Sequence, residues 1–441
     1  MSTSTTDATL SSYASSSDFE RACASYNRAL AAELLPAMGC TEPIALAYAA
    51  AIAGARLGGL PETVDVEVSR NIVKNVKSVV VPNTDGLRGI EAAVTAGFAV
   101  SRPEAGLQVL SVVSDEEKAL VHERMNAPEQ WPVRVRATEE PDVFFIKVTG
   151  ERNGKRVAVT IRTCHTNVTR IEENGVTVFE EGDAHAEETS GEHWSIAALI
   201  AAARTMPLDA ARPLLERQIA MNMAIAEEGL KGGWGARVGA VLLKRNPDDP
   251  AVKARAWAAA ASDARMNGCE LPVVIVSGSG NQGITASVPV VIFAESLKSD
   301  DETRLRAVLL SDLVTIALKQ GIGKLSAYCG AVSAGCGSGA GIALLKGYDD
   351  RAIESVITNA LAITSGLICD GAKSSCAAKI AMSVEGALVA LDMVKNEQVF
   401  REGDGIVQSS VDETAEAVGR IASRGMVSTD REIIRVMLGE K

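Results

Sequence analysis

Two spacings of apolar residues divide this chain into helical and β-rich parts. Residues 18–63 carry apolar side chains at helical spacing, as in FERACASYNRALAAELL and IALAYAAAIAGARL. Residues 64–185 change to period two in VDVEVS, VRVRA, VFFIKV and RVAVTIR, and the shorter runs SVVVP and LQVLSVV also suit strands. Helical spacing returns over residues 186–441. The pattern predicts an α+β fold, in which a mainly helical body contains an inserted β-rich α+β segment.

The N-terminal segment and one long apolar stretch bear on where the protein resides. Residues 1–17 are rich in serine and threonine and lack the basic and apolar regions of a secretory signal, so we predict a disordered lead and a cytoplasmic protein. The stretch from Leu325 to Leu345 contains no charged residue and is long enough to span a bilayer. Its serines, cysteines and glycines instead favour a buried wall of a site, so no membrane span is predicted.

Composition narrows the class of partner. Aromatic residues make up only 4% of the 441 residues, whereas glycine occurs 38 times, so we expect closely packed helices. The net charge of -12 argues against binding to nucleic acid or to an anionic membrane, because phosphate binding requires a basic patch. We therefore expect a small-molecule substrate, and neither nucleic acid nor membrane as a partner. A homo-oligomer is left open.

Three of the eight cysteines have the spacing of metal ligands. Without a secretory signal, grouped cysteines favour metal ligands or catalytic thiols over disulfides. Cys369 and Cys376 lie seven residues apart, and Cys329 precedes Cys369 by forty. No C-x-x-C pair occurs, which disfavours a zinc ribbon. Three thiolates can hold a cubane cluster and leave one iron as a Lewis acid; alternatively, the cysteines are small core residues.

A fourth cysteine lies between two predicted helices, in the segment Gly39-Cys40-Thr41-Glu42-Pro43. Proline suits the first turn of a helix and threonine suits a cap, so Cys40 is predicted at or just before a helix N-terminus. Because the helix dipole favours a thiolate at this end, we expect a lowered pKa for Cys40.

A glycine-rich segment at 278–283, GSGNQG, matches the G-x-G-x-x-G pattern of dinucleotide sites. The following run ITASVPVV is β-branched and contains Pro289, so we expect no clean helix there and disfavour a dinucleotide site. Glycines let a backbone approach a ligand, and successive N–H groups can hold an anion such as a substrate carboxylate. A plain tight turn is the alternative. The residues expected to contact substrate here are Ser279, Gly280, Asn281 and Gln282.

The segment His165-Thr166-Asn167 follows a predicted strand. His165 is a candidate acid–base group or carboxylate partner, although a lone histidine more often has a structural role. His165 and Asn167 complete the set of residues expected to contact substrate.

Five motifs together resemble the L-cysteine desulfidase family, which is related to the alpha chain of iron–sulfur L-serine dehydratases. They are MGCTEP at 38–43, HTN at 165–167, DARMNG at 263–268, GSGNQG at 278–283 and CDGAKSSC at 369–376. The resemblance extends from about residue 20 to the C-terminus, and the combination is specific although each motif alone is not. It implies a [4Fe-4S] cluster held by Cys329, Cys369 and Cys376, with Cys40 as catalytic base. Cys336 competes with Cys329, but the resemblance favours Cys329, which matches the family's register of forty residues before the next ligand.

The resemblance also implies an activity, in which the helical body is the catalytic body. L-Cysteine is converted to pyruvate, ammonia and hydrogen sulfide, without pyridoxal phosphate, by removal of the Cα proton and β-elimination. The related dehydratases act on L-serine, so this substrate is an alternative. A third interpretation is a non-catalytic redox or iron-responsive protein that uses the same cysteines, although the sequence shows no DNA-binding patch.

Overall fold

The protein combines many helices with two β-sheets, which confirms the α+β class. The structure is a computed structural model that describes residues 17–138, 143–181, 194–323 and 325–439. The predicted disordered lead, apart from Ser17, and the predicted boundary at residue 185 lie outside the described residues. The division of the chain into domains therefore stays a prediction.

The larger sheet has six strands in the order β3-β2-β4-β5-β6-β7, in which β2 and β3 are parallel and every other neighbouring pair is antiparallel. Its strands are β2 (Thr63–Ser69), β3 (Val133–Thr138), β4 (Phe145–Arg152), β5 (Lys155–Arg162), β6 (Val168–Glu173) and β7 (Val176–Glu180). Burial alternates along β2, as the period-two pattern predicts. Two short strands, β1 (Pro36–Met38) and β8 (Pro272–Val274), form a separate antiparallel pair.

Along the sequence, helices precede, separate and follow the strands of the larger sheet. The N-terminal half contains α1 (Ser17–Glu33), α2 (Thr41–Leu57), α3 (Arg70–Val76), α4 (Gly89–Val100), a 3-10 segment (Pro103–Val112), α5 (Asp115–Asn126), α6 (Ile196–Thr205) and α7 (Arg212–Lys231). The remainder contains α8 (Val238–Leu243), α9 (Pro250–Met266), α10 (Gly280–Leu297), α11 (Asp301–Ile322), α12 (Ala331–Leu345), α13 (Asp350–Thr364), α14 (Cys376–Lys395), α15 (Val411–Arg420), a π segment (Ile421–Gly425) and α16 (Val427–Leu438).

Helix α2 joins the sheet to the rest of the core. It packs against β4, β5 and α4. A side chain at Gly97 of α4 would place its Cβ 2.2 Å from the carbonyl oxygen of Ala47, so glycine permits the two helix backbones to touch. Buried side chains of α2, the sheet and the later helices form one continuous cluster. The helix that carries Cys40 at its start is therefore held by the β-rich segment.

Helix α12 is the buried centre of the C-terminal helices. It packs against α10, α11, α13 and α14. A Cβ added at Gly337 would lie 2.4 Å from the carbonyl oxygen of Ser311, and one at Gly341 would lie 2.6 Å from that of Ala307. The uncharged stretch therefore forms a closely packed core helix. Across the described ranges, no helix is both long and apolar enough to cross a membrane.

Three local predictions from the sequence are wrong. The run SVVVP contributes only an isolated bridge between Val80 and Arg88, and LQVLSVV lies largely in the 3-10 segment. The run after Gly283 belongs to the 18-residue helix α10 with Pro289 inside it. Because α10 is buried among α9, α11 and α12, tertiary packing outweighs the β-preference of its valines and isoleucines. The antiparallel pairing of β8 also disagrees with a dinucleotide-binding βαβ unit.

Candidate active site

One cavity of about 110 Å³ collects most of the residues that the sequence analysis selected. Its wall includes the starts of four helices: Cys40 to Glu42 at α2, Ser279, Asn281 and Gln282 at α10, Gly330 and Ala331 at α12, and Cys376 at α14. Each helix N-terminus carries a partial positive charge and unpaired N–H groups. Four such ends around one cavity create an environment that favours anions.

Cys329 and Cys369 lie on two loops that pair with each other. The bridge between Tyr328 and Ile368 is antiparallel, the N–H of Cys329 donates to Leu367 O at 3.0 Å, and the N–H of Cys369 donates to Ala327 O at 2.6 Å. Side chains one position beyond a bridged pair point to the opposite face, so both thiols share one face as diagonal neighbours.

The third thiol comes from the first residue of α14. Cys376 Sγ lies 3.6 Å from Gly371 O and lines the cavity with Cys329 and Cys369. Burial, together with the charges of the neighbouring Cys369 and Cys376, raises the pKa of Cys329 to about 12. These thiols are therefore close enough to influence one another electrostatically.

This donor set fits an iron–sulfur cluster. No group of three His, Cys, Asp or Glu side chains in the described part of the chain has the arrangement of a site for one metal ion. Thiolates that bind separate irons of one cluster stand further apart than ligands of a single ion, which is compatible with three thiols on one wall. Lys319 and Lys379 also line the cavity and can offset thiolate charge. Burial lowers the pKa of Lys319 to about 8, while Cys369 and Cys329 oppose this shift.

Cys336, the competing ligand, lies inside helix α12 and is 1% exposed. It does not line the cavity. Burial raises the pKa of its thiol to about 12. The structure therefore places Cys329, and not Cys336, beside Cys369 and Cys376.

Cys40 occupies the N-cap of α2, as the sequence predicts. Its thiol donates a hydrogen bond to Glu42 Oε2 at 3.0 Å. Burial raises the pKa of Cys40 well above its ordinary value, the Glu42 carboxylate adds to this effect, and Arg265 opposes it. The expected lowering of the pKa is therefore wrong, because desolvation and the nearby carboxylate outweigh the helix dipole.

The Glu42 carboxylate is the common acceptor of the hydrogen bonds around Cys40. Besides the thiol, Thr41 Oγ1 donates to Glu42 Oε2 at 3.1 Å and Asn75 Nδ2 donates to Oε1 at 3.0 Å. Burial alone would raise the pKa of Glu42, but His165, the Cys40 hydrogen bond and Arg265 together lower it. Glu42 is therefore an ionised acceptor for the thiol proton.

The start of α10 contributes in a different way at each position. Ser279, Asn281 and Gln282 line the cavity, whereas Gly280 does not. Asn281 Oδ1 accepts a hydrogen bond at 3.1 Å from the guanidinium of Arg265, another residue of the cavity wall. The prediction that these residues bind substrate stays a prediction.

His165 and Asn167 are buried and do not line the cavity. The His165 ring contacts Phe144 edge-on at 4.7 Å, and its charge acts on Glu42. Asn167 Nδ2 donates to Thr163 Oγ1 at 3.0 Å and so closes its own turn. His165 can influence the site through Glu42, and substrate contact by these two residues stays a prediction.

Sequence reasoning missed Glu42, Arg265 and Lys319. Glu42 and Arg265 lie inside two of the quoted motifs, but their roles depend on contacts with distant segments. A signal was present for Arg265, because it interrupts an alanine-rich helix in which Asp263 is the other buried charge. Charged residues on an otherwise apolar helix are rarely buried without a partner.

Comparison with known proteins agrees with the family resemblance at its coarser level. The profile of the serine dehydratase alpha chain family matches residues 104–435. A UPF0597 protein of Desulfitobacterium hafniense is 46% identical over 418 residues, which cover 94% of this chain and 96% of the relative. UPF0597 proteins of Lachnoclostridium phytofermentans and Treponema denticola are 45% and 40% identical, covering 93% and 94% of this chain and 98% and 97% of the relatives. This chain therefore belongs to the serine dehydratase alpha chain family.

Proposed function

We propose that this protein is an iron–sulfur lyase that converts L-cysteine to pyruvate, ammonia and hydrogen sulfide without pyridoxal phosphate. The observation that carries the proposal is one cavity bordered by three neighbouring thiols and by Cys40 bonded to Glu42. Membership of the serine dehydratase alpha chain family supports a lyase of the serine dehydratase type.

Cys329, Cys369 and Cys376 are the proposed ligands. These thiolates would hold a [4Fe-4S] cluster, which would supply Lewis acidity toward the substrate and its β-substituent. Lys319, Lys379 and the surrounding helix N-termini offset the negative charge of the thiolates.

Cys40 is the proposed base, and Glu42 is the group that activates it. Glu42 Oε2 takes the thiol proton along the 3.0 Å hydrogen bond, which leaves a thiolate facing the cavity. The thiolate removes the Cα proton, the Cα–H electrons form the Cα–Cβ double bond, and the Cβ–S electrons leave with sulfur. The resulting aminoacrylate becomes an imine, which water hydrolyses to pyruvate and ammonia.

L-Serine is the second candidate substrate, because the matching family is described by a serine dehydratase. The same proton removal then expels the β-oxygen in place of sulfur. The third alternative, a redox or iron-responsive protein, uses the thiols without turnover.

Anaerobic purification and turnover assays test these alternatives. We expect a brown protein containing iron and sulfide, which releases pyruvate and sulfide from L-cysteine faster than it releases pyruvate from L-serine at equal concentration. Cys369→Ala and Cys376→Ala should lose iron, and Cys336→Ala, the matched buried cysteine, should retain it. A colourless active enzyme excludes the cluster, faster turnover of L-serine selects the dehydratase, and an iron-loaded protein inert toward small amino acids selects the non-catalytic alternative.

A further inference from the structure

Arg265 is a buried cation that forms no ion pair within the described residues. It is 2% exposed, and it borders the cavity near the end of α9. One N–H of its guanidinium donates to Asn281 Oδ1, and its Nε–H has no partner among the described residues. By contrast, the buried cation Lys74 is paired with Asp430 at 2.5 Å. An arginine stays charged in proteins, so burial without an anion is unfavourable unless a ligand supplies one.

The space around this guanidinium depends on Gly280. A Cβ at this position would lie 2.4 Å from Arg265 Nε and 2.7 Å from Cζ. Glycine therefore lets the guanidinium lie directly against the first turn of α10, where the helix carries unpaired N–H groups and a partial positive charge. An anion at this place meets both the guanidinium and the helix N-terminus.

The carboxylate of Glu42, on which the charge of Arg265 acts, already accepts hydrogen bonds from other residues. Glu42 accepts hydrogen bonds from Cys40, Thr41 and Asn75, and no ion pair within the described ranges joins it to Arg265. Glu42 is therefore a charged neighbour of Arg265 without a direct bond to it, and the guanidinium can still bind an anion that enters the cavity. A planar guanidinium matches a carboxylate, whose two oxygens can accept parallel N–H bonds.

Gln282, on the same cavity wall, offers a hydrogen-bond acceptor, whereas Arg265 offers only donors. Gln282 is 4% exposed, lines the cavity, and has an Oε1 atom without a donor among the described residues. An unpaired acceptor and a cation with an unpaired N–H, both on the wall of one cavity, fit a molecule that carries a carboxylate and an ammonium group. This pairing is the polar pattern of an α-amino acid.

We propose that Arg265 binds the α-carboxylate of the amino-acid substrate and that Gln282 Oε1 accepts from its ammonium group. This inference rests on the proposed function, because it names the groups that hold the substrate of that site. Asn281 and Gly280 are positioning residues, since one holds the guanidinium by a hydrogen bond and the other gives it room.

Binding of an unreactive amino acid and its amide to the anaerobic, iron-loaded protein tests the inference. L-Alanine and L-alaninamide differ in the carboxylate, and their dissociation constants can be measured by calorimetry. We expect the wild-type protein to prefer L-alanine by about tenfold or more, because hydrogen bonds to charged groups have this magnitude. Arg265→Gln should abolish the preference, and Arg265→Lys should restore part of it.

Arg255→Gln is the matched control, because Arg255 lies on the same helix but pairs with Glu385 and does not line the cavity. It should keep the wild-type preference. The inference is wrong if folded Arg265→Gln also keeps it, or if the wild-type protein shows none. Carboxylate preference without turnover of L-cysteine or L-serine rejects the proposed function and leaves this inference standing. Turnover with an unchanged preference in Arg265→Gln rejects only the inference.

Discussion

At the scale of single residues, Cys40 and Glu42 form a pair in which each side chain shifts the pKa of the other. The Glu42 carboxylate raises the pKa of Cys40 after burial has already done so, while the Cys40 hydrogen bond helps to lower that of Glu42. The proton therefore rests on sulfur, and the carboxylate is its acceptor at 3.0 Å. In the proposed mechanism, transfer of this proton to Glu42 must therefore precede removal of the Cα proton.

Glu42→Gln tests the proposed role of this carboxylate. The amide cannot take the thiol proton, so turnover should fall by about 100-fold or more, in the range typical of general acid–base groups. Iron content should not change, because Glu42 is not a proposed ligand. Glu91→Gln is the matched control, since Glu91 also lies in the first turn of a helix but is exposed. Equal turnover in the two variants would show that Glu42 does not activate Cys40.

The sequence predicted the thiols of this site better than its charges. Cys40, Cys329, Cys369 and Cys376 all line one cavity, because each precedes or starts a helix or lies in a paired loop. The alanine-rich surroundings of Arg265 marked it as unusual, but its contact with Asn281 could not be predicted, since packing brings the two helices together. The direction in which the pKa of Cys40 shifts could not be predicted from the sequence either, because it depends on burial and on the orientation of the Glu42 side chain.

At the scale of elements, helix α12 shows why small residues lie at the centre of this fold. Its glycines bring it against the carbonyl oxygens of α11 and α14. The helix starts immediately after the Cys329 loop, so its position also sets that loop. Close packing of α12 therefore supports both stability and the proposed ligand.

Gly337→Ala should destabilise the protein by about 1–3 kcal/mol, as for other overpacked cores. The added Cβ would lie 2.3 Å from Thr315 Oγ1 and 2.4 Å from Ser311 O, and the latter is backbone that cannot rotate away. Gly366→Ala is the control, because nothing lies within 4 Å of its added Cβ. Thermal unfolding under anaerobic conditions measures both variants. Identical melting temperatures would show that α12 can shift without loss.

Helix α10 shows where local sequence preference fails. Its β-branched residues and Pro289 argued against a helix, yet residues Gly283 to Ala294 are all buried. Thr285 Oγ1 donates to Asn281 O at 2.7 Å and Ser287 Oγ donates to Gly283 O at 2.8 Å, so these hydroxyls bond inside the helix. The packing of three neighbouring helices was not visible in the chain, whereas the amphipathic helices and alternating strands were.

At the scale of the whole molecule, one buried acid links stability to pH. Asp312 is fully buried in α11, and burial raises its pKa to about 8 even though Gln218 donates to it at 2.9 Å. Its second oxygen and Gln218 Oε1 have no partner within the described residues, which suits a protonated Asp312 that donates to the amide. Asp312 therefore stays neutral in the folded protein at neutral pH.

Asp312→Asn should remove a pH dependence. Between about pH 4 and pH 8 the unfolded chain releases this proton and the folded chain keeps it, so stability falls as pH rises, by about 1.4 kcal/mol per pH unit. In urea unfolding from pH 5 to 8, the free energy of unfolding of the variant should rise relative to that of the wild-type protein as the pH increases. Asp248→Asn, an exposed carboxyl, should follow the wild-type slope. Parallel curves for Asp312→Asn would mean that Asp312 ionises normally.

The attachment of α2 to the sheet has a mechanical consequence for Cys40. The helix has 17 residues and, at 1.5 Å per residue, is about 25 Å long, with the Cys40 thiol at its N-terminal end. Leu57, at the C-terminal end of the helix, packs near Gly150 of the sheet. A tilt of about 2° about this end would move the N-terminal end by about 1 Å. A displacement of that size can lower a reaction rate about 100-fold. The sheet, which lines no part of the cavity, thereby fixes the orientation of the helix that carries the proposed base.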